Sequence, residues 1–381
     1  MKKIFYWSPY LTNVATIKAV INSIKSIKKY SKEYEPILIN SCGEFDTYKE
    51  ELLKLDIETI DLVFFKYHKF LPTKGFLQSR ISFMIIFIIS FFPLLFLIKL
   101  KKPDYFIFHL ITSLPIIISN LVKDNTKFIL RISGLPKYNI FRNFIWKNLG
   151  RNIYKVTCPT IGTVEHLTSI KIFDKEKIFL LRDPIVSIKN ISKMKNEQIQ
   201  YNFDINEFLI IAIGRLTKQK NFKFLVNCFD EILMIKKNAK LLIIGEGEEK
   251  KILQNLIQKK NLSKKIILLD FQDNIFNYLK TANLFVLSSL WEDPGWVLIE
   301  AATCDTLILS SNCKNGPEEF IENNKGGILF ENNSSLDFIK KFKEVNNLDN
   351  EKKIEKKLFA KKKVNQYTIF RHFRVLNKIL D

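Results

Sequence analysis

The sequence predicts an α/β protein of two domains, each built on a parallel sheet, and three observations carry the prediction. Its 381 residues exceed one ordinary core and suit two domains of common size, while 47% apolar residues exclude disorder as the overall state. Short apolar runs alternate with helical stretches along the whole chain, the pattern of repeated β and α units. The series breaks once, after Asp183-Pro184, where polar sequence from Lys189 to Asn206 reads as a linker near residues 184–206.

In the first series, candidate strands lie at residues 3–7, 36–39, 62–65, 105–108, 128–130 and 154–156. A second series follows at 208–213, 241–244, 266–269, 284–287 and 307–309. The domains are therefore expected at 1–185 and 206–360, with a terminal helical stretch at 361–381. One segment interrupts the rhythm. Residues 81–98 carry no charge, are rich in Phe and Ile, and are broken only by Ser82, Ser90 and Pro93. Eighteen residues at 1.5 Å each reach about 27 Å, close to the hydrocarbon thickness of a bilayer. Arg80, with Lys66, Lys69 and Lys74, precedes the segment, and Lys99, Lys101 and Lys102 follow it. Positive charge on both flanks argues against a crossing. Three readings stay open: a helix pair dipping into one leaflet, a buried core helix, or a span. Residues 137–147 interleave aromatics with Lys137, Arg142 and Lys147, which suits a surface-lying helix or an ordinary amphipathic helix on the sheet.

The charge narrows the partners. Lys and Arg total 60 against 39 acidic residues, a net +21, with 52 Lys and only 8 Arg. Residues 1–185 hold +13 of this and residues 186–381 hold +8. A nucleic-acid protein would favour Arg and show a reading motif, so nucleic acid is not expected. Base-composition bias explains part of the surplus. An anionic membrane surface or a phosphorylated substrate explains the rest. The five cysteines are scattered without paired spacing, which suggests neither a disulfide framework nor a zinc site and fits a reducing cytosol. The apolar run after Lys2-Lys3 is too short for a signal-peptide core.

Three motifs at strand ends of the second domain carry chemistry. Trp291-Glu292-Asp293-Pro294-Gly295-Trp296 follows a strand and a Ser288-Ser289 turn, and Pro294 and Gly295 stand where a helix would start. Backbone N–H groups there are free for an anionic or hydroxyl-rich ligand. Glu292 sits before that helix and Glu300 about two turns along it, two acceptors for sugar or ribose hydroxyls. Gly214 allows a tight turn, and Arg215 and Lys220 place two cations beside a diphosphate. Gly245-Glu246-Gly247-Glu248 follows the next strand. Each is ordinary loop sequence alone, but all three fall where open α/β sheets bind ligands.

With these residues in view, the chain resembles the family 4 retaining glycosyltransferases, whose two facing Rossmann-like domains form the GT-B arrangement. Glu292 and Glu300 look like the family's E-x7-E pair, and Gly214, Arg215 and Lys220 like its G-R-x-x-x-x-K loop. Asn315 to Phe320 and Gly326 to Phe330 are similar to its G-P-x-E and G-G-x-L elements. The resemblance implies a nucleotide diphosphate-sugar donor, with Arg215 and Lys220 on the diphosphate, Glu300 on the ribose and Glu292 beside the sugar. It implies contacts to the sugar or phosphates from Pro294, Gly295 and Trp296, and donor binding by Gly214 and Glu246. It also likens His109 to the first-domain His that faces the sugar, and residues 131–136 to an acceptor-side loop of bacterial surface-polysaccharide members.

The first-strand loop departs from the family, since Ser8 to Thr16 contains no glycine. Residues 367–376 resemble the terminal helix that returns to the first domain. No D-x-D motif occurs, so neither metal nor other cofactor is expected. The expected function is transfer to a lipid-linked or lipopolysaccharide or capsule glycan, in the cytoplasm and peripheral on the inner face of the cytoplasmic membrane. An epimerase of the same fold and an inactive membrane-associated glycan-binding scaffold are the alternatives.

Overall fold

The computed structural model describes residues 1–12, 15–72, 76–136, 140–199, 201, 204 and 206–381. Lys74, residues 137–139 of the aromatic and basic segment, and Asn13 and Val14 of the first-strand loop lie outside the described residues.

The first unit, Met1–Pro184 with Ile369–Asp381, contains strands β1 (Lys2–Trp7), β2 (Tyr34–Asn40), β3 (Glu58–Asp61), β4 (Tyr105–Phe108), β5 (Lys127–Arg131), β6 (Lys155–Cys158) and β7 (Ile178–Leu180). They form a parallel sheet in the order β3-β2-β1-β4-β5-β6-β7. The second unit, Ile185–Thr368, contains β8 (Phe208–Ile213), β9 (Ala239–Ile244), β10 (Ile266–Leu269), β11 (Leu284–Leu287), β12 (Leu307–Ser311) and β13 (Ile328–Phe330), parallel in the order β10-β9-β8-β11-β12-β13. Both sheets are buried on two faces. Ile210 and Ala212 of β8 enter one core cluster while Leu209, Ile211 and Ile213 enter another. Two-sided burial is why these strands read as continuous apolar runs.

The apolar run at 62–65 is not a strand. β3 lies four residues earlier, with Ile37↔Glu58 to Asn40↔Asp61 in register, and the ladder ends where Leu62 N–H donates to the Asn40 carbonyl at 2.8 Å. Phe64 and Phe65 are left exposed. β7 and β13, three residues each, are edge strands too short to stand out in the sequence. The stretch expected as a linker also differs, because Ile185, Val186 and Ile191 pack into the core of the second unit with Ala360, Val364 and Tyr367. The chain passes back to the first unit after Thr368 rather than at 361. There the helix Ile369–Leu380 packs on the helix Ala15–Tyr30 through Leu376, Ile379 and Leu380.

Residues 81–98 are part of one continuous helix, Phe76–Lys101, with Pro93 inside it, and not a helix pair. By length and composition it could cross a membrane. Its inner face, however, belongs to the first unit: Leu94, Leu95 and Ile98 pack on the sheet, and Ile86 packs on Leu11, Cys42, Tyr67 and Leu71. Ser82 and Ser90 are buried too, Ser82 donating to the Pro72 carbonyl at 2.6 Å. Ile81, Met84, Ile88, Phe92 and Phe96 are exposed. The helix therefore inverts the usual soluble pattern along one stripe. The helix Ile140–Leu149 is amphipathic on the first unit, with Ile145 and Trp146 buried and Ile140 and Phe144 exposed.

Candidate functional site

In each sheet the strand order reverses beside its first strand, between β1 and β4 and between β8 and β11, and the crevice at such a reversal is where open α/β sheets take ligands. In the second unit, Gly214–Lys220 follows β8 and Ser288–Trp296 follows β11, so two of the three motifs flank the reversal. The third, after β9, lies next to them.

The loops are sewn together by backbone and side chain. Leu216 N–H donates to the Glu246 carbonyl at 2.7 Å, and Leu290 N–H to the Gln219 carbonyl at 2.8 Å. Gln219 donates to the Trp291 carbonyl at 2.9 Å, and the Ser288 hydroxyl to the Lys220 carbonyl at 2.8 Å. Two glycines set how closely these loops approach each other. A Cβ on Gly214 would stand 3.0 Å from Lys220 Cε, so its absence lets the lysine stem lie across the turn. A Cβ on Gly245 would stand 1.9 Å from the Gly214 carbonyl oxygen, which shows the β9 loop bracing the β8 loop from behind.

Within this frame Lys220 Nζ meets Glu292 Oε1 at 2.5 Å, and the Ser289 hydroxyl donates to the same oxygen at 2.5 Å. The lysine side chain is 13% exposed and that of the glutamate 6%, so the pair sits largely out of water, where each charge depends on the other. Arg215 is exposed, and its guanidinium donates to Gln219 Oε1 at 3.2 Å. Gly295 adopts φ 90° and the helix Trp296–Thr303 starts directly after it, as the sequence predicts. Asn315 donates to Asp293 Oδ2 at 2.6 Å, tying the Asn315-Gly316-Pro317 loop to the residues just before that helix. Glu300 is half-buried and is the fifth residue of the helix, one turn along it rather than two. The Glu246 side chain is exposed, and its carbonyl serves the β8 loop.

Of the second-unit residues singled out from sequence, Gly214, Lys220 and Glu292 come into direct contact, and Arg215, Glu246, Pro294, Gly295, Trp296 and Glu300 lie on the same loops or the helix that leaves them. Sequence alone assigns no role to Ser289, Gln219 or Asn315. The Ser288-Ser289 pair at a strand end was the available signal for the first. Among the described residues no three His, Cys, Asp or Glu side chains gather as a metal site.

In the first unit His109 follows β4, its N–H donating to the Trp7 carbonyl at 3.0 Å. The ring is buried, and burial, then the charge of Arg131, then His372, holds its pKa well below the ordinary histidine range. Arg131, expected in an acceptor-side loop, is instead the last residue of β5, with its guanidinium buried against Asp183 and the Leu181 carbonyl. The glycine-free first-strand loop is filled by aromatic packing, with Tyr10 edge-on to Phe45 at 5.1 Å and its carbonyl bound to His68 Nε2 at 2.9 Å.

Comparison with known proteins places this geometry. Residues 193–361 match the family described as glycosyl transferases group 1. An uncharacterized glycosyltransferase of Methanocaldococcus jannaschii is 34% identical over 60% of this chain and 61% of its own length. The N-acetylgalactosamine-N,N'-diacetylbacillosaminyl-diphospho-undecaprenol 4-alpha-N-acetylgalactosaminyltransferase of Campylobacter jejuni is 30% identical over 45% of this chain and 44% of its own length. The chain thus matches about half of the length of these curated relatives. A glycosyltransferase from Rickettsia africae has the same fold, with a TM-score of 0.76 at 17% identity, over 99% of this chain and 97% of that one. The fold is α/β with two Rossmann-like domains, the GT-B class, and it carries the apolar helix in the first domain.

Proposed function

We propose that this chain is a metal-independent, retaining glycosyltransferase of family 4 that moves a sugar from a nucleotide diphosphate donor to a lipid-linked or polysaccharide acceptor. The observation that carries this reading is the contact of Lys220 with Glu292 across two strand-end loops at the sheet reversal, within the segment that matches the glycosyltransferase family. The diphosphate gains charge as it departs, so fixed cations beside it lower the barrier more than they aid ground-state binding. Lys220, positioned by Gly214 and Glu292, and the exposed Arg215 supply those cations. Glu292 holds the lysine and presents its second oxygen to a sugar hydroxyl. Glu300 accepts from the ribose, and the N–H groups at the start of the helix Trp296–Thr303 face phosphate or sugar. The acceptor hydroxyl enters on the face the diphosphate leaves. His109 acts as a neutral hydrogen-bonding group toward the sugar, because burial denies it the charged form.

The exposed apolar stripe of the helix Phe76–Lys101 and its flanking lysines support a peripheral place on the inner face of an anionic membrane. The Campylobacter jejuni relative, whose name carries diphospho-undecaprenol, supports a lipid-linked acceptor.

A thermal-shift panel of nucleotide diphosphates and nucleotide sugars tests the donor half. At least one should raise the melting temperature, and Glu300→Ala should abolish the rise. A donor-hydrolysis assay on Glu292→Gln and Lys220→Ala then tests the chemistry. No response to any nucleotide, or turnover indifferent to both substitutions, overturns the reading. Activity lost on chelation overturns metal independence, and donor conversion without an acceptor or hydrolysis points to an epimerase.

A further inference from the structure

The last two turns of the helix Phe76–Lys101 form one wall of a groove of about 560 Å³ in the first unit, within the size range of small-molecule sites. Pro93, Phe96, Leu97 and Leu100 line it from the helix, and Ile60 and Leu62 from the end of β3. Two charges stand at its rim. Asp61 is already engaged, by Lys66 and by Asn40, which donates to it at 2.8 Å. Lys99 enters no ion pair among the described residues and is exposed. Apolar walls with one uncompensated cation at the edge suit an amphiphile with a long aliphatic chain and an anionic head.

We propose that this groove holds the hydrocarbon chain of a phosphate-linked lipid acceptor, with Lys99 on the phosphate. The inference rests on the transferase reading and selects, within it, a lipid phosphate over a preassembled polymer. Two placements favour the acceptor over bulk phospholipid. The groove borders Asp61 and Leu62 at the carboxyl end of β3, the side on which such sheets admit ligands. It is also continuous with Phe92, Phe96 and Leu100 of the exposed stripe, so a chain can enter from a bilayer beneath it, whereas bulk lipid needs only the stripe.

Farnesyl phosphate, kept below its micelle concentration and titrated calorimetrically into the full chain, is the probe. One molecule should bind per chain. Phe96→Asp and Leu100→Asp, at positions 64% and 78% exposed where the fold tolerates charge, should each weaken binding about tenfold, and so should Lys99→Glu. Ile81→Asp, on the same stripe but outside the groove, should leave it unchanged. Farnesol and inorganic phosphate should each bind more weakly than the intact amphiphile. Equal affinity in all variants overturns the proposal. So does absence of monomer binding while phosphatidylglycerol vesicles still sediment the protein, which leaves a bilayer contact alone. Nucleotide-induced stabilisation is measured on the same samples. If it persists without farnesyl phosphate binding, the groove fails and the transferase reading stands; the reverse outcome sinks the transferase reading.

Discussion

Acidification should destabilise the first unit through the buried rings of His109 and His372, and the hydrogen bonds of His372 isolate its share. The His372 ring lies on the C-terminal helix in a buried polar chain whose direction is set by geometry. Nδ1–H donates to the Arg182 carbonyl at 2.7 Å, so Nε2 accepts from the Ser23 hydroxyl at 2.9 Å, which in turn accepts from the Tyr6 hydroxyl at 2.9 Å. A second proton on Nε2 would face the hydroxyl hydrogen. Burial first, and also the nearby Arg131, push the pKa down from 6.5 to about 4, against the upward pull of the Arg182 carbonyl and of Asp183. The unfolded chain therefore takes up a proton below pH 6.5 that the folded chain refuses until pH falls near 4. Stability contributed by the neutral ring is complete above that window and is lost as pH falls through it. At 1.36 kcal/mol per pH unit this amounts to about 1.4 kcal/mol by pH 5.5 and about 3 kcal/mol by pH 4. Hydrogen exchange of β1 and β4 peptides across a urea series, at several pH values, measures it for this unit alone. His372→Gln keeps a donor and an acceptor but cannot titrate, so the gap between wild type and variant should shrink by that amount on acidification. A gap that does not change with pH refutes the reasoning.

Three further outcomes are expected. Lys220→Met strands the buried Glu292 and should cost the second unit about 3–5 kcal/mol, most of it restored by adding Glu292→Gln; additive losses in urea melts would mean the two charges are not coupled. Gly245→Ala forces the β8 loop away from its brace, which should cost about 1–3 kcal/mol and weaken calorimetric binding of a nucleotide diphosphate; unchanged binding would show that the brace does not hold the Lys220 loop in place. Ile88→Lys, on the exposed stripe, should leave stability within about 0.5 kcal/mol but reduce sedimentation with anionic vesicles. Wild-type sedimentation should fall but persist at about 1 M salt, where the screening length is about 3 Å; abolition by salt would leave the stripe no part in it.

What could be read from the sequence followed the physics of burial. Strands enclosed on both faces are uninterrupted apolar runs, so β1, β4, β8 and β11, and the motifs after β8 and β11, were legible from local composition. Residues 62–65 show the limit of that signal: they are apolar, yet Phe64 is 96% exposed. The supposed linker fails for the opposite reason, because three apolar residues, Ile185, Val186 and Ile191, suffice to draw a polar stretch into a core whose other members lie far along the chain. The Lys220–Glu292 contact spans 72 residues and joins two motifs that each read as ordinary loop sequence. Nothing local pairs a lysine likened to a phosphate ligand with a glutamate likened to a sugar ligand.

The same contact gives a reason for the residues around it. A lysine that serves a diphosphate must be held in place before the ligand arrives, or the cost of ordering its long side chain is subtracted from binding. Gly214 removes the steric bar to its stem, Glu292 fixes its ammonium, and Ser289 orients the carboxylate that does so. Arg215 is exposed and donates to Gln219, so under the proposed function it keeps more freedom than Lys220 to follow a departing phosphate. With one oxygen of Glu292 bound by lysine and serine, the proposed function gives its other oxygen to the ligand. Glu292 can therefore position a cation and accept from a hydroxyl at once, which ties the first residue of the E-x7-E pair to the lysine of the neighbouring loop as one unit, and makes their separate substitution more damaging than either role alone requires.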